Sequence, residues 1–274
     1  MHKDLGDEWV YWMMRGEFER AWQVSDRILG EQAPRLDGVL GRRVLVRCEH
    51  GLGDTIQYIR YARVLRPMVT RLLVHGQPRL LPLLRRMPEI DCLFTWGDRW
   101  PEGEYDAEIE IMDLPHLFRT TIETIPAEVP YLAVETVARG GANGLRRVGV
   151  QRSCGTWDPR KALPPETLEM VGRVPGVEAA DLEQGCETAD VAATAASIAG
   201  MKLVITPDTM TAHLAGALGR PVWVLLPAQA NWRWMEGRKD SPWYPTMRLF
   251  RQAAGGDWSG VLECVLRNLR RFAS

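Results

Sequence analysis

Leu203–Gly219 reads LVITPDTMTAHLAGALG, an apolar strand-like run that stops at Pro207 before Asp208 and Thr209 open a helix of small residues carrying His213. A strand that feeds a helix start exposes unpaired backbone N–H groups and the positive end of the helix dipole. With a hydroxyl and an imidazole beside them, such groups suit a phosphate. Thr209 and His213 lie four residues apart and share one helix face, although a lone helical His also reads as a packing residue. A carboxylate capping that turn repels a phosphate at the same spot, so Asp208 reads as the organiser of the turn. The stretch points to a nucleotide or sugar-nucleotide site.

Outward from this stretch the chain alternates. Strand RRVGVQ, a helix near Pro165–Arg173, a weak strand near Val177 and a helix over Ala189–Ala199 precede it. Strands PVWVLL and MRLFRQ and a terminal helix over Asp257–Phe272 follow. The N-terminal half repeats the pattern: RVLVRC, a helix over Asp54–Arg66, RLLVH, a helix over Pro78–Met87, then strands near DCLF and AEIEIM. Alternating strands and helices specify parallel sheets with helices on their faces. The Gly-rich basic segment VARGGANGLRR reads as a linker between two such halves. The expected architecture is α/β: two Rossmann-like domains, 37–138 and 145–274, facing an active cleft, behind a helical hairpin at 1–36. That hairpin reads as two short helices meeting near Gly16, with Trp9, Trp12 and Met13 on the first and Phe18, Ala21, Trp22, Ile28 and Leu29 on the second.

Composition narrows the function classes. The 274 residues are 46% hydrophobic, enough for a substantial core, and the net charge of −1 lacks the basic excess expected of a nucleic-acid binder. The five cysteines are scattered without a C-x-x-C pair or zinc spacing, which reads as reduced cytoplasmic thiols. No apolar run approaches the roughly 18 residues of a transmembrane helix, and neither a metal nor a cofactor is expected.

Further candidates flank the strands. His50, Gly51, Gly53 and Asp54 follow RVLVRC, where glycines permit a tight turn and close ligand approach. Asp54 reads as a general base or, with Gln57, as a capping-box pair. Arg160 and Lys161 place two cations beside a helix start, with a solvated loop as the plainer reading. Arg152 ends RRVGVQ at the carboxyl edge, where ligands of open α/β sheets bind. Trp232, in Asn231-Trp232-Arg233-Trp234, offers a ring to a sugar or base, or packs a long loop. Asp106–Glu110 alternates as the polar face of a half-buried strand rather than a metal motif.

Taken together, GLGDTIQYIRYARVL, TIPAEVPYL, ITPDTMTAHLAGALGRPVWVLLP and NWRWMEGRKDSPWYPTMRLFRQ resemble the glycosyltransferase domain found behind tetratricopeptide repeats, related to the family-nine heptosyltransferases. The likeness runs from about Leu40 onward, and RGEFERAWQVSDRIL before it resembles the second half of a tetratricopeptide repeat. It implies a GT-B fold, with an acceptor-side N-terminal domain and a sugar-nucleotide-side C-terminal domain, and an inverting, metal-independent transferase moving a sugar from a nucleoside diphosphate to an acceptor hydroxyl. Asp54 matches the acid thought to act as base, Asp208, Thr209 and His213 the D-T-x-x-x-H donor-phosphate signature, and Lys161 or Arg160 a basic donor contact. The acceptor, whether glycan, lipid or protein, stays open, and the hairpin offers a surface to a protein partner. Three positions depart from the relatives: Gln151–Gly155 replaces a Trp-x-Gly-like turn, Met210 stands where Gly is common, and His50 where Gln is. These departures keep a second reading open, a catalytically weak or inactive module that binds a sugar nucleotide or a protein. A sugar-nucleotide epimerase on the same fold is a third.

Overall fold

The computed structural model describes residues 4–135, 144–155, 158–183, 191–253 and 256–274. Most of the linker segment, Cys186 and the start of the helix expected from Ala189 lie outside the described residues. The chain divides into two compact units, Met1–Ala127 with Asn231–Arg238, and Glu128–Ala230 with Lys239–Ser274.

The first unit opens with helices α1 (Leu5–Met14) and α2 (Phe18–Leu29). Asp4 caps α1 by accepting from the Gly6 N–H at 3.1 Å, and Gly16 turns the chain at φ +75°. On α2, Phe18, Ala21, Trp22 and Val24 are buried. The indole of Trp22 donates to the Thr120 carbonyl at 2.7 Å, and Asp26 receives His116 Nε2 at 2.9 Å and Arg119 at 2.8 Å, so α2 is fastened to the rest of the unit. Towards the end of α2 the apolar residues are less covered: Ile28 is 52% exposed and Leu29 only half-buried, and both line a cavity.

A sheet follows. Strand β1 (Arg43–Arg47) leads to α3 (Leu52–Tyr58) and α4 (Ala62–Leu65), β2 (Arg71–Gly76) to α5 (Leu81–Leu84), and β3 (Cys92–Thr95) and β4 (Ala107–Glu110) to α6 (Leu114–Leu117). The strands pair in parallel, in the order β3-β2-β1-β4. Covered on both faces, β1 and β2 bury Val44, Leu45, Val46, Leu72, Leu73 and Val74 as near-continuous apolar runs. The helix expected over 54–66 is broken by 3₁₀ turns at Ile59–Tyr61 and Arg66–Met68. Buried Arg60 donates to the Gln57 carbonyl at 2.7 Å, competing with the helical ladder, and Pro67 cannot continue it.

In the second unit the elements run β5 (Arg146–Val150), α7 (Thr167–Gly172), β6 (Val177–Asp181), α8 (Val191–Ala199), β7 (Leu203–Pro207), α9 (Met210–Ala217), β8 (Val222–Leu226), β9 (Asp240–Ser241), β10 (Tyr244–Arg251) and α10 (Ser259–Ala273). The sheet order is β6-β5-β7-β8-β10-β9, parallel except for the short antiparallel edge strand β9. Strands β7 and β8 are buried along their whole length. Val265 and Leu269 of α10 join Val148, Leu203 and Trp223 in one apolar core. Helix α9 is followed by Gly219, two residues past its end, whose φ of +68° is a left-handed helix exit.

Both sheets share a topological feature. In each, the first strand is flanked by its successor on one side and by a later strand on the other: β1 by β2 and β4, β5 by β6 and β7. The connections leave these strands in opposite directions, which opens a crevice at their carboxyl ends, where open α/β sheets bind ligands. Among the described residues no helix is long and apolar enough to cross a membrane.

Candidate functional site

In the second unit the switch point lies between the ends of β5 and β7, and Asp208, Thr209 and Lys161 come together beside it. Asp208 follows β7 directly, and its side chain is only 7% exposed. Lys161 Nζ lies 2.7 Å from Asp208 Oδ2, so the carboxylate serves as the partner of a half-buried lysine. Arg160 does not join it: its guanidinium is solvent-exposed and forks onto Asp158, with Nε to Oδ1 at 2.8 Å and Nη2 to Oδ2 at 3.1 Å. The geometry thus separates two adjacent cations that the sequence left interchangeable.

Thr209, not Asp208, occupies the N-cap position of α9, and its side chain makes no capping hydrogen bond among the described residues. Its Oγ1 sits 3.2 Å from that of Thr206, which places the hydroxyl at the mouth of the turn beside half-buried Met210. Gln151, just beyond β5, is tied to the same helix by the Thr211 hydroxyl, which donates to Gln151 Oε1 at 2.8 Å. His213 lies one turn deeper and is 2% exposed, with Nδ1 3.0 Å from the Tyr244 hydroxyl. Its ring holds α9 against β10. Arg152 is at the carboxyl edge as expected, but its guanidinium meets Asp181 at 3.0 Å and Glu183 at 2.8 Å. Burial pushes the Glu183 carboxyl upward, and the N–H groups of Ser153 and Arg152 with the Arg152 charge outweigh it and bring it below its usual range.

In the first unit the switch point lies between β1 and β4. Helix α3 begins at Leu52, so Asp54 stands in its first turn and accepts from the Gly51 N–H at 3.1 Å. The capping pair expected between Asp54 and Gln57 does not form, because the helix starts earlier and Gln57 turns into the core. Asp54 Oδ1 receives Arg233 Nη2 at 2.8 Å, and both side chains are largely buried. Arg233 belongs to the Asn231–Arg238 segment that groups with this unit, where Asn231 Oδ1 accepts its Nε at 3.1 Å. Gln77, after β2, donates to the His50 carbonyl at 2.7 Å and accepts from Thr55 at 3.0 Å, which fixes the Gly51–Gly53 turn. His50 itself is exposed, with Nε2 3.7 Å from Glu110.

Trp232 packs edge-on against Trp9 at 5.0 Å, whereas Trp234 and Trp243 are buried and present no ring face for stacking. The residues missed by sequence reasoning are Arg233 as the partner of Asp54, and Gln77 and Gln151 as supports. All three act through contacts remote in sequence. Among the described residues no group of three or more His, Cys, Asp or Glu side chains is arranged to hold a metal ion.

No protein-family model matches the chain. Protein FlbA of Caulobacter vibrioides is 28% identical over 289 residues, covering 85% of this chain and 47% of that protein. The chain therefore spans about half the length of this curated relative. Among solved structures, the family-nine glycosyl transferase of Veillonella parvula superposes with a TM-score of 0.64 at 14% identity, covering 86% of this chain and 98% of that one. The E. coli ADP-heptose lipopolysaccharide heptosyltransferase II gives 0.60 at 16% identity, covering 84% and 98%. The dodecameric iron-containing glycosyltransferase TibC of enterotoxigenic E. coli gives 0.58 at 12% identity, covering 86% and 78%. These likenesses establish the fold: a mixed α/β chain with parallel sheets, of the GT-B type, as the sequence led us to expect.

Proposed function

We propose that the chain is a glycosyltransferase that moves a sugar from a nucleoside diphosphate to an acceptor hydroxyl with inversion and without a metal. The observation that carries this reading is the uncapped start of α9, with the Thr209 hydroxyl at its mouth and Lys161 held beside it by Asp208. On this reading the donor diphosphate belongs to the second unit. The N–H groups of the first turn, Thr209 and Lys161 stabilise the charge that grows on the leaving diphosphate. One well-placed donor of this kind is worth about 3 kcal/mol in the transition state. His213 acts through Tyr244, keeping the first turn in place.

Asp54 of the first unit is assigned the acceptor's proton. The Gly51 N–H and Arg233 each occupy one side of the carboxylate and orient it, leaving lone pairs for an incoming hydroxyl. As the acceptor oxygen bonds to the anomeric carbon, its proton passes to Asp54, and the bond from that carbon to the phosphate oxygen breaks. General-base assistance contributes about 10²–10⁴-fold.

A second reading is favoured by the Arg233 contact, which gives the Asp54 carboxylate a structural role of its own: a module that binds a sugar nucleotide without transferring the sugar. Nucleoside-diphosphate release, followed over a panel of nucleotide sugars with and without glycan, lipid and peptide acceptors, separates the two. Acceptor-dependent release supports the transferase. Nucleotide binding with no release from any donor supports the module, and product formation without acceptor exposes an epimerase.

A further inference from the structure

The first unit contains a cavity of about 530 Å³ whose lining does not include Asp54, within the usual size range for small-molecule sites. Its apolar side comes from α1 and α2, including Trp9, Trp22 and the incompletely buried Ile28. Its polar end lies at the sheet switch point, where Glu110, Asp113, His116 and His50 line it.

The polar end is short of donors. Glu110 is served by the N–H groups of Met112 and Glu49, and its Oε1 lies 3.7 Å from His50. Asp113 is half-buried, and among the described residues its carboxylate has no hydrogen-bond partner. Burial holds its pKa above the usual range, against the pull of the Arg47 charge. Nearby cations are engaged elsewhere: Arg47 meets Glu49 at 2.8 Å, and Arg119 meets Asp26 at 2.8 Å.

His116 adds a second unserved acceptor. It is 2% exposed, with Nε2 2.9 Å from the Asp26 carboxylate, a partner that selects the tautomer carrying its proton on Nε2. Nδ1 then carries a lone pair, and it is buried without a hydrogen-bond partner. Burial also lowers the His116 pKa, which keeps the ring neutral near pH 7. A desolvated carboxylate, a neutral imidazole acceptor and two indole rings are chemically matched to a group with several N–H donors and a positive charge.

We propose that this cavity binds an organic cation, a primary ammonium group on a short aliphatic stem. The ammonium meets Asp113 and His116, and the stem runs along Trp9, Trp22 and Ile28. A carboxylate or phosphate ligand is repelled by Asp113 and Glu110. Binding requires no nucleotide and is independent of the transferase reading.

Calorimetric titration of the full chain, without nucleotide, tests this with n-hexylammonium, 1-hexanol and hexanoate. Saturable binding of n-hexylammonium is expected, with 1-hexanol about tenfold weaker or worse and hexanoate inert at about 10 mM. Asp113→Asn is expected to weaken n-hexylammonium about tenfold with the far-ultraviolet dichroism unchanged. Ile28→Trp, a change at an exposed position that fills the mouth, is expected to weaken it without disturbing the fold. Equal binding of the alcohol, unaltered binding in Asp113→Asn, or no saturation by n-hexylammonium at about 10 mM each overturns the proposal. A lysine-containing peptide titrated alongside distinguishes a polypeptide side chain from a free amine as the source of the cation.

Discussion

The two sheet switch points are built alike and finished with opposite polarity. In each, a buried strand ends in a short turn, a helix begins, and an aspartate in the turn or the first helical residues meets a cation: Asp54 with Arg233, Asp208 with Lys161. In the first unit the carboxylate lies within α3 and closes the helix start by accepting the Gly51 N–H. In the second the carboxylate stops before α9 and leaves the helix start uncapped. A shift of the acid by a few residues thus converts a helix N-terminus from one presenting a carboxylate to one suited to an anion. The proposed division of labour, proton transfer at one and diphosphate stabilisation at the other, rests on this contrast.

The largest expected effect comes from removing the first carboxylate. Asp54→Asn keeps the size and the Gly51 contact but cannot take a proton, and turnover is expected to fall about 10³-fold while nucleotide affinity is unchanged. Full activity in the variant breaks the contrast. Arg233→Ala leaves the base but loses its orientation, so kcat is expected to fall about tenfold with nucleotide binding untouched. Equal losses of turnover and nucleotide affinity would show that Arg233 serves the donor instead.

Packing behind the second switch point gives a stability prediction. Gly216 faces Tyr244, and a Cβ there would lie 2.5 Å from a ring carbon and 2.8 Å from Met247. Gly216→Ala is expected to destabilise the chain by about 1–3 kcal/mol, read from denaturant unfolding. It is also expected to weaken nucleotide binding, because Tyr244 is the partner of His213. Unchanged stability would mean that α9 is less firmly seated than its burial implies.

The smallest effect concerns pH in the first unit. The Arg119 contact holds Asp26 below its ordinary value of 3.8, and burial holds His116 below 6.5. In both cases the unfolded chain binds the proton first, so stability falls as pH drops through 6.5 and again through 3.8. Asp113 and Glu110, raised by burial, act in the opposite sense. Asp26→Asn is expected to cost about 1 kcal/mol or less at pH 7 and to flatten the acid limb of the stability profile. An unchanged limb would remove Asp26 from the docking of α2.

Local pattern made much of this legible. The apolar runs of β7 and β8 and the alternation of strands and helices specify two parallel sheets, and the Pro207–Thr209 break marks where α9 begins. The choice between Arg160 and Lys161 was not legible, because it depends on which side chain reaches a residue 47 positions later. Arg233 lies 179 residues from Asp54, and nothing in a sequence of alternating elements pairs them. The expected Asp54–Gln57 pair failed for a local reason: Gly51 let the helix start before Asp54. Ile28 fits a helical apolar face and is nevertheless exposed, because it borders a cavity rather than the core.

The central claim is that the start of α9 and Lys161 form an anion site. Calorimetry of nucleoside diphosphates with the wild-type chain, Lys161→Ala and Arg160→Ala tests it most directly. We predict saturable binding that Lys161→Ala weakens about 10–100-fold and Arg160→Ala leaves within about twofold. Absence of binding by every nucleoside diphosphate, or equal losses in the two variants, contradicts it.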